Sequence, residues 1–172
     1  MAKFLPQYPV YVISKGRYET CLTAKCFIED GVPFRLVVEP QEKEMYAKRF
    51  EGIEILTLPF SNLGLGSIPA RNWVKEHSTK AGDKRHWIVD DNIRIFRRVY
   101  QSKRIHCNAG LALRVIEDFT DRYENIGISG PAYTFFVVNN RKPFMLNVHV
   151  YSCMLLNNSM PYQWRGRYNE DT

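Results

Sequence analysis

Cysteine is scarce, and its placement excludes more than it suggests. Cys21, Cys26, Cys107 and Cys153 show no CxxC spacing and no clustered framework, so neither a disulfide scaffold nor a thiolate metal site is indicated. Free thiols in a reducing compartment are expected. His77, His86, His106 and His149 are scattered, with no HxxxH or HExxH pair to aim two imidazoles at one ion, which sets zinc aside. No apolar run approaches the roughly 20 residues that cross a bilayer, and the first ten residues carry Pro6 and Pro9 rather than a leader-like apolar stretch. A soluble, cytoplasmic protein without membrane association is expected. Internal repeats and low-complexity linkers are also lacking.

What is present suffices for one domain. The 172 residues are 45% apolar and 13% aromatic, enough for a single well-buried core. Lys and Arg number 24 against 18 Asp and Glu, and the net charge of +6 favours polyanionic partners such as nucleic acid or pyrophosphate.

The first half alternates strand and helix patterns. Tyr8 to Ser14 reads as a strand, followed by Lys15-Gly16-Arg17 and a helix with Tyr18, Cys21, Leu22, Phe27 and Ile28 on roughly one side, closed by Gly31. Phe34 to Val38 is a second strand, and Glu39-Pro40 opens a helix carrying Met45, Tyr46 and Phe50 up to Gly52. Ile53 to Leu58 is a third strand, followed by a loop over 62–67 and a helix through Ala70 to Val74; Trp87 to Val89 is the fourth strand. Such alternation predicts an α/β fold with a mostly parallel mixed sheet and right-handed crossovers. Ligands in such sheets bind beyond the carboxyl ends of the strands, so the loops from Ser14, Glu39, Pro59 and Asp90 should face one crevice. In the second half, a helix from Asn108 to about Tyr123 should turn Ala112, Val115, Ile116 and Phe119 inward, with a short strand and turn at 127–130. Tyr133 to Val138 and Phe144 to Leu156 read as the two strands of an antiparallel hairpin.

Asp90-Asp91-Asn92 stands where the fourth strand emerges, and carboxylates there are costly unless a cation or polyol meets them. In an extended segment the first and third positions project to one side, which suits a hard Mg²⁺ or Mn²⁺. The alternative is that Asp91 or Asn92 caps a helix over Ile93 to Tyr100. Ser14-Lys15-Gly16-Arg17 is either a nucleotide-holding turn or an ordinary strand-to-helix connection. Gly64-Leu65-Gly66 lacks the third glycine of a dinucleotide fingerprint, and a flexible approach to a nucleotide suits it better, with Arg71 and Asn72 facing the crevice. Arg94, Arg97 and Arg98 fall at i, i+3 and i+4, a basic helical stripe that either follows DNA phosphates or is a solvated face. Trp164, with Arg165 and Arg167, either stacks on a base or packs in the core. Glu170-Asp171 is either an acceptor-side carboxylate pair or plain surface acidity.

Taken in order, VYVISKGR, FRLVVEP, LGLGSIPARNW, HWIVDDNIRIF and WRGRYNEDT resemble the TET/JBP-associated glycosyltransferases of bacteriophages, within the GT-A glycosyltransferases. The resemblance implies a GT-A-like fold in one domain over 1–172, with 1–100 as the nucleotide-sugar half and 101–172 as the acceptor half. It implies transfer of a sugar from a nucleotide sugar, a UDP-sugar by expectation, to a hydroxymethylpyrimidine of phage DNA, with Mn²⁺ or Mg²⁺. It puts Ser14, Lys15, Arg17 and Glu39 around the uridine and Arg71 near the diphosphate. Asp90 would meet the ribose or metal-bound water and Asn92 would take the metal-facing position, where an amide replaces the usual carboxylate. Either Asp90 or Asp91 would compensate for that missing charge, or the diphosphate and water would mainly hold the metal, and Glu170 and Asp171 match the acidic motif where a catalytic base lies. The helices that close the acceptor side in GT-A enzymes are expected in a further C-terminal segment or a partner chain. Two other classes remain open: a Mg²⁺-dependent nuclease or nucleotidyltransferase holding two ions on Asp90, Asp91, Glu170 and Asp171, and a non-catalytic nucleic-acid-binding module.

Overall fold

The β-branched and aromatic runs of the first half form the expected parallel strands. A computed structural model describes residues 4–137 and 142–166. In chain order the elements are β1 (Val10–Ile13), α1 (Leu22–Asp30), β2 (Arg35–Val38), α2 (Lys43–Arg49, entered through a 3₁₀ turn at Pro40–Glu42), β3 (Glu54–Thr57), α3 (Ile68–Lys80) and β4 (Arg85–Asp90). Then follow β5 (Phe96–Tyr100), β6 (Lys103–Cys107), α4 (Ala109–Thr120), β7 (Ile128–Ser129) and β8 (Cys153–Asn157). Gly31 takes the left-handed φ of 68° that ends α1, and its N–H donates to the Ile28 carbonyl at 3.2 Å.

Six strands form one sheet in the order β3-β2-β1-β4-β8-β7, with β1 parallel to both β2 and β4 and β8 antiparallel to both neighbours. This is the mostly parallel mixed sheet the sequence predicts. The strand order reverses between β1 and β4, so the connections that leave their carboxyl ends run in opposite directions and leave a crevice beyond the paired strands. Strand alternation divides the core. Val12, Leu36, Trp87 and Val89 face Phe27 of α1, Tyr46 of α2 and Leu113 of α4, whereas Tyr11, Val37, Ile88 and Met154 face Ala70 and Val74 of α3.

The second half corrects three expectations. Ile93 to Tyr100 is not a helix: 96–100 is β5, paired with β6 around Gln101 and Ser102, both at positive φ (46° and 59°), as a two-residue hairpin turn requires. The β-branched and aromatic content on either side of that turn outweighs the helical spacing of the arginines. Among the described residues the antiparallel hairpin lies at 96–107; of those described in 133–157, Thr134–Phe136 is a 3₁₀ turn and only Cys153–Asn157 is strand, paired with β4. Helix α4 buries Leu113 and Glu117, with Ala112 and Ile116 at the margin, and leaves Val115 in solvent. On α1, likewise, Cys21 and Phe27 are buried while Leu22 and Ile28 are exposed. All four cysteines are free, as expected, and all four are buried. Among the described residues no helix is long and apolar enough to cross a membrane.

Buried charge at the amino end of the sheet is fully committed to structure. The Glu117 carboxylate accepts from the Trp87 indole (2.8 Å) and the backbone N–H groups of Gln7 (2.7 Å) and Tyr8 (3.2 Å). Burial pushes its carboxyl above the usual range, and these donors offset part of that rise. Arg85, also buried, donates to Asp121 (3.1 Å) and to the Ile126 carbonyl (2.9 Å).

His86 is buried beside Asn158. The Asn158 amide nitrogen donates to Ser78 and to the Asp83 carbonyl, so its oxygen faces His86 Nδ1 at 2.5 Å, and the proton must sit on Nδ1. Burial lowers the imidazole pKa to about 4, against the opposing Asn158 hydrogen bond. A neutral buried histidine stabilises the fold fully above the unfolded pKa near 6.5, and that stabilisation falls as pH drops from there to about 4. Over this window the urea-derived stability difference between wild type and His86→Gln should change by about 3 kcal/mol. A difference that stays constant with pH would contradict the assignment.

Candidate active site

The crevice at the carboxyl ends of β1 and β4 encloses about 400 Å³, and Lys15, Arg17, Glu39, Arg71, Asp90 and Asn92 are among its lining residues. The acidic tripeptide is held in place by Thr23 in the first turn of α1. Thr23 Oγ1 donates to the Asp90 carbonyl (2.5 Å) and accepts from Ile93 N–H (2.8 Å), while its own N–H donates to the Asp91 carbonyl (3.2 Å). Asp90 ends β4 and Asp91-Asn92 form the turn that follows, and the two carboxylates take different partners.

Asp91 turns into the protein. One oxygen accepts from Ser14 Oγ at 2.6 Å and the other from Arg17 Nη1 at 2.8 Å. A carboxylate only accepts, so the one Ser14 hydroxyl hydrogen is directed at Asp91 and Ser14 Oγ must itself accept from the Tyr46 hydroxyl 2.6 Å away. Tyr46 in turn accepts from Arg17 N–H at 3.0 Å, and burial raises its phenol pKa. Ser14 and Asp91 are thus largely buried at the floor of the crevice, which both help to line, with their side chains engaged by Tyr46 and Arg17.

Asp90 projects into the crevice and meets Arg71 from α3, with Oδ1 3.4 Å from Nη2. Arg71 is 1% exposed, so its charge is held in low dielectric behind the carboxylate. Ser67 precedes α3, and Pro69 occupies its first turn, which directs the amino end of this 13-residue helix at the crevice. On the opposite wall Glu39 accepts from Lys15 Nζ (2.8 Å), Gln41 (2.6 Å) and Asn62 N–H (3.1 Å). Burial raises the Glu39 carboxyl, but these donors and the Lys15 charge outweigh it and hold the group below the usual carboxylate range. Lys15 also donates to Asn62 Oδ1 at 3.0 Å and remains half exposed at the mouth.

Asn72 does not face the crevice. Its amide pairs with the Trp164 backbone in both directions, accepting at 2.9 Å and donating at 3.0 Å. One turn further along α3, Lys75 donates to the carbonyls of Met160 (2.6 Å) and Tyr162. The chain after β8 is therefore led along α3 toward the crevice. Trp164 packs partly buried against the α3 side of the core, the second of the two readings its position allows. Arg165 is exposed, as are Arg94, Arg97 and Arg98, the last two now on a strand. Arg167, Glu170 and Asp171 lie outside the described residues. Sequence reading missed Thr23 and Tyr46 as site-building residues, and an isolated Thr or Tyr on an apolar helix face gives no signal for either.

Among the described residues no three His, Cys, Asp or Glu side chains converge as a metal-binding group. A hard divalent ion that takes most of its ligands from phosphate and water still fits, because it needs only one or two protein oxygens; Asp90 and Asn92 supply a carboxylate and an amide at the crevice.

A mostly parallel sheet with a charged crevice at its switch point agrees with a glycosyltransferase fold. The TET-Associated Glycosyltransferase family model matches residues 8–172, and the chain belongs to that family. Neither the comparison with curated proteins nor that with solved structures gave a match.

The two neighbours in the tripeptide should respond differently to substitution. Asp91→Asn should lower unfolding free energy by about 2 kcal/mol, because two hydrogen bonds to a buried charge are weakened, whereas Asn92→Ala should change it by less than about 0.5 kcal/mol. Equal effects in urea denaturation would contradict the division between a structural Asp91 and a crevice-facing Asn92.

Proposed function

We propose that this glycosyltransferase moves a sugar from a UDP-sugar to the hydroxyl of a hydroxymethylpyrimidine in DNA. The observation that carries the donor half is the convergence of Arg71, Asp90, Lys15 and the amino end of α3 on one crevice at the switch point. A diphosphate laid against that helix end meets its unsatisfied N–H groups and the positive end of its dipole. Lys15 adds positive charge at the mouth, and Arg71 holds the Asp90 carboxylate in a fixed orientation from behind. A bound Mg²⁺ or Mn²⁺, held by Asp90 and Asn92, would neutralise charge on the diphosphate as UDP departs.

In the reaction, the acceptor oxygen bonds to the anomeric carbon while the bond from that carbon to the diphosphate oxygen breaks. UDP leaves with the electron pair, and the hydroxyl proton passes to a carboxylate. Glu170 or Asp171 is the proposed base, and the course of 160–166 along α3 toward the crevice supports that reading. The acceptor half rests on the net charge of +6 and the exposed arginines of β5. The rival two-ion nucleic-acid enzyme needs Asp91 as a ligand, and both of its oxygens already accept from Ser14 and Arg17.

Mass spectrometry of hydroxymethylcytosine and hydroxymethyluracil DNA incubated with a panel of nucleotide sugars tests the reading. A hexose or pentose mass added to the hydroxymethylated base is expected, and DNA cleavage without added mass would overturn it. Asp90→Asn, which keeps an acceptor for Arg71, should reduce transfer by about 100-fold or more with little change in the unfolding midpoint. Wild-type turnover in that variant would remove Asp90 from the mechanism.

A further inference from the structure

Beside the crevice lies a second, smaller cavity of about 130 Å³, enclosed between the β5–β6 hairpin, the segment 131–137 and residues 151–153. The two cavities flank the same short stretch of chain. Asn92 lines the crevice and Ile93 lines the smaller slot, and Asp90 N–H donates at 2.7 Å to the carbonyl of Ser152, a slot residue. The slot and the crevice thus adjoin along the chain at Asn92-Ile93.

The slot combines flat apolar walls with a cationic rim. Ile93, Ile95 and Val99 supply aliphatic surface, and the rings of Tyr133 and Tyr151, both slot residues, lie 5.6 Å apart at 43°. The Tyr133 hydroxyl bonds Ser152 Oγ, which anchors that ring beside the end of β4. Arg97, Arg98 and Arg104 line the slot from the hairpin. Arg104 donates to the Val137 carbonyl and so ties the hairpin to the segment that covers the slot, while Arg97 and Arg98 remain exposed.

From this geometry we infer that the slot receives a single nucleobase of the acceptor, turned out of its stack, with Arg97 and Arg98 on the flanking phosphates. This rests on the glycosyltransferase reading above and names the part of the acceptor that the protein holds. Aromatic and aliphatic walls suit the face of an unstacked base, and guanidinium groups at the rim suit the backbone on either side of it. The hydroxymethyl group of a base so held lies beside Asn92-Ile93, where slot and crevice adjoin.

The test uses a duplex oligonucleotide with one 5-hydroxymethylcytosine next to a 2-aminopurine, titrated with the full chain. Loss of stacking on base extrusion should raise 2-aminopurine fluorescence several-fold; binding without that rise would overturn the proposal. Val99→Trp, at an exposed strand position that tolerates a large aromatic ring, should obstruct the slot. It should abolish the fluorescence rise and raise the KM for the DNA acceptor at least tenfold, with UDP binding as the control for folding. Transfer by Val99→Trp at the wild-type KM would overturn the slot and leave the transferase reading intact. Failure of the wild type to glycosylate any hydroxymethylated DNA while still raising the fluorescence would overturn that reading and support base capture alone. Equal KM values for the free hydroxymethyl nucleoside and for DNA would overturn the role of Arg97 and Arg98 on phosphates.

Discussion

The carboxylate of Asp91 is the constraint on which the site depends. It joins the carboxyl end of β1, through Ser14 and Arg17, to the carboxyl end of β4, from which it springs. These are the two paired strands between which the sheet order reverses, and the loops that leave them run in opposite directions. Tyr46 extends the connection to α2, and Thr23 extends it to α1. With Asp91 so engaged, Asp90 and Asn92 are presented outward on a fixed segment. A loop-borne site gains positional accuracy when its supporting residues are locked in this way.

The two ends of the sheet use charge differently. At the amino end, Glu117 is satisfied by Trp87 and the backbone of Gln7 and Tyr8, and Arg85 by Asp121 and Ile126, so these buried ions hold strands and helices together. At the carboxyl end, Asp90 is still partly exposed and Lys15 is half exposed, and both border open volume. Buried and partnered charge is the structural use, whereas partnered charge facing a crevice is the use that serves a ligand.

The parallel half of the fold was legible in the sequence because strand runs, glycine stops and Pro40 recur at the spacing of βαβ units, and each local signal agrees with the global arrangement. The crevice followed from the same reasoning, through the rule that ligands lie beyond the strand ends. The arginines at 94, 97 and 98 misled because three residues at i, i+3 and i+4 mimic a helical face, whereas the turn at Gln101-Ser102 carries no glycine to announce it. The apolar stretch over 144–156 reads as strand throughout, yet only its last part finds a partner, β4, whose position depends on tertiary structure. Which of two adjacent aspartates faces inward was equally hidden. It is set by the Ser14, Arg17 and Tyr46 groups that arrive from elsewhere in the chain.

Photoaffinity labelling with an azido-UDP, followed by peptide mapping, tests the central claim most directly. The account predicts label on peptides carrying residues 14–17, 58–71 or 90–92, displaced by excess UDP. Label concentrated on the β5–β6 hairpin, or undisplaced by UDP, would contradict the assignment of the switch-point crevice as the donor site.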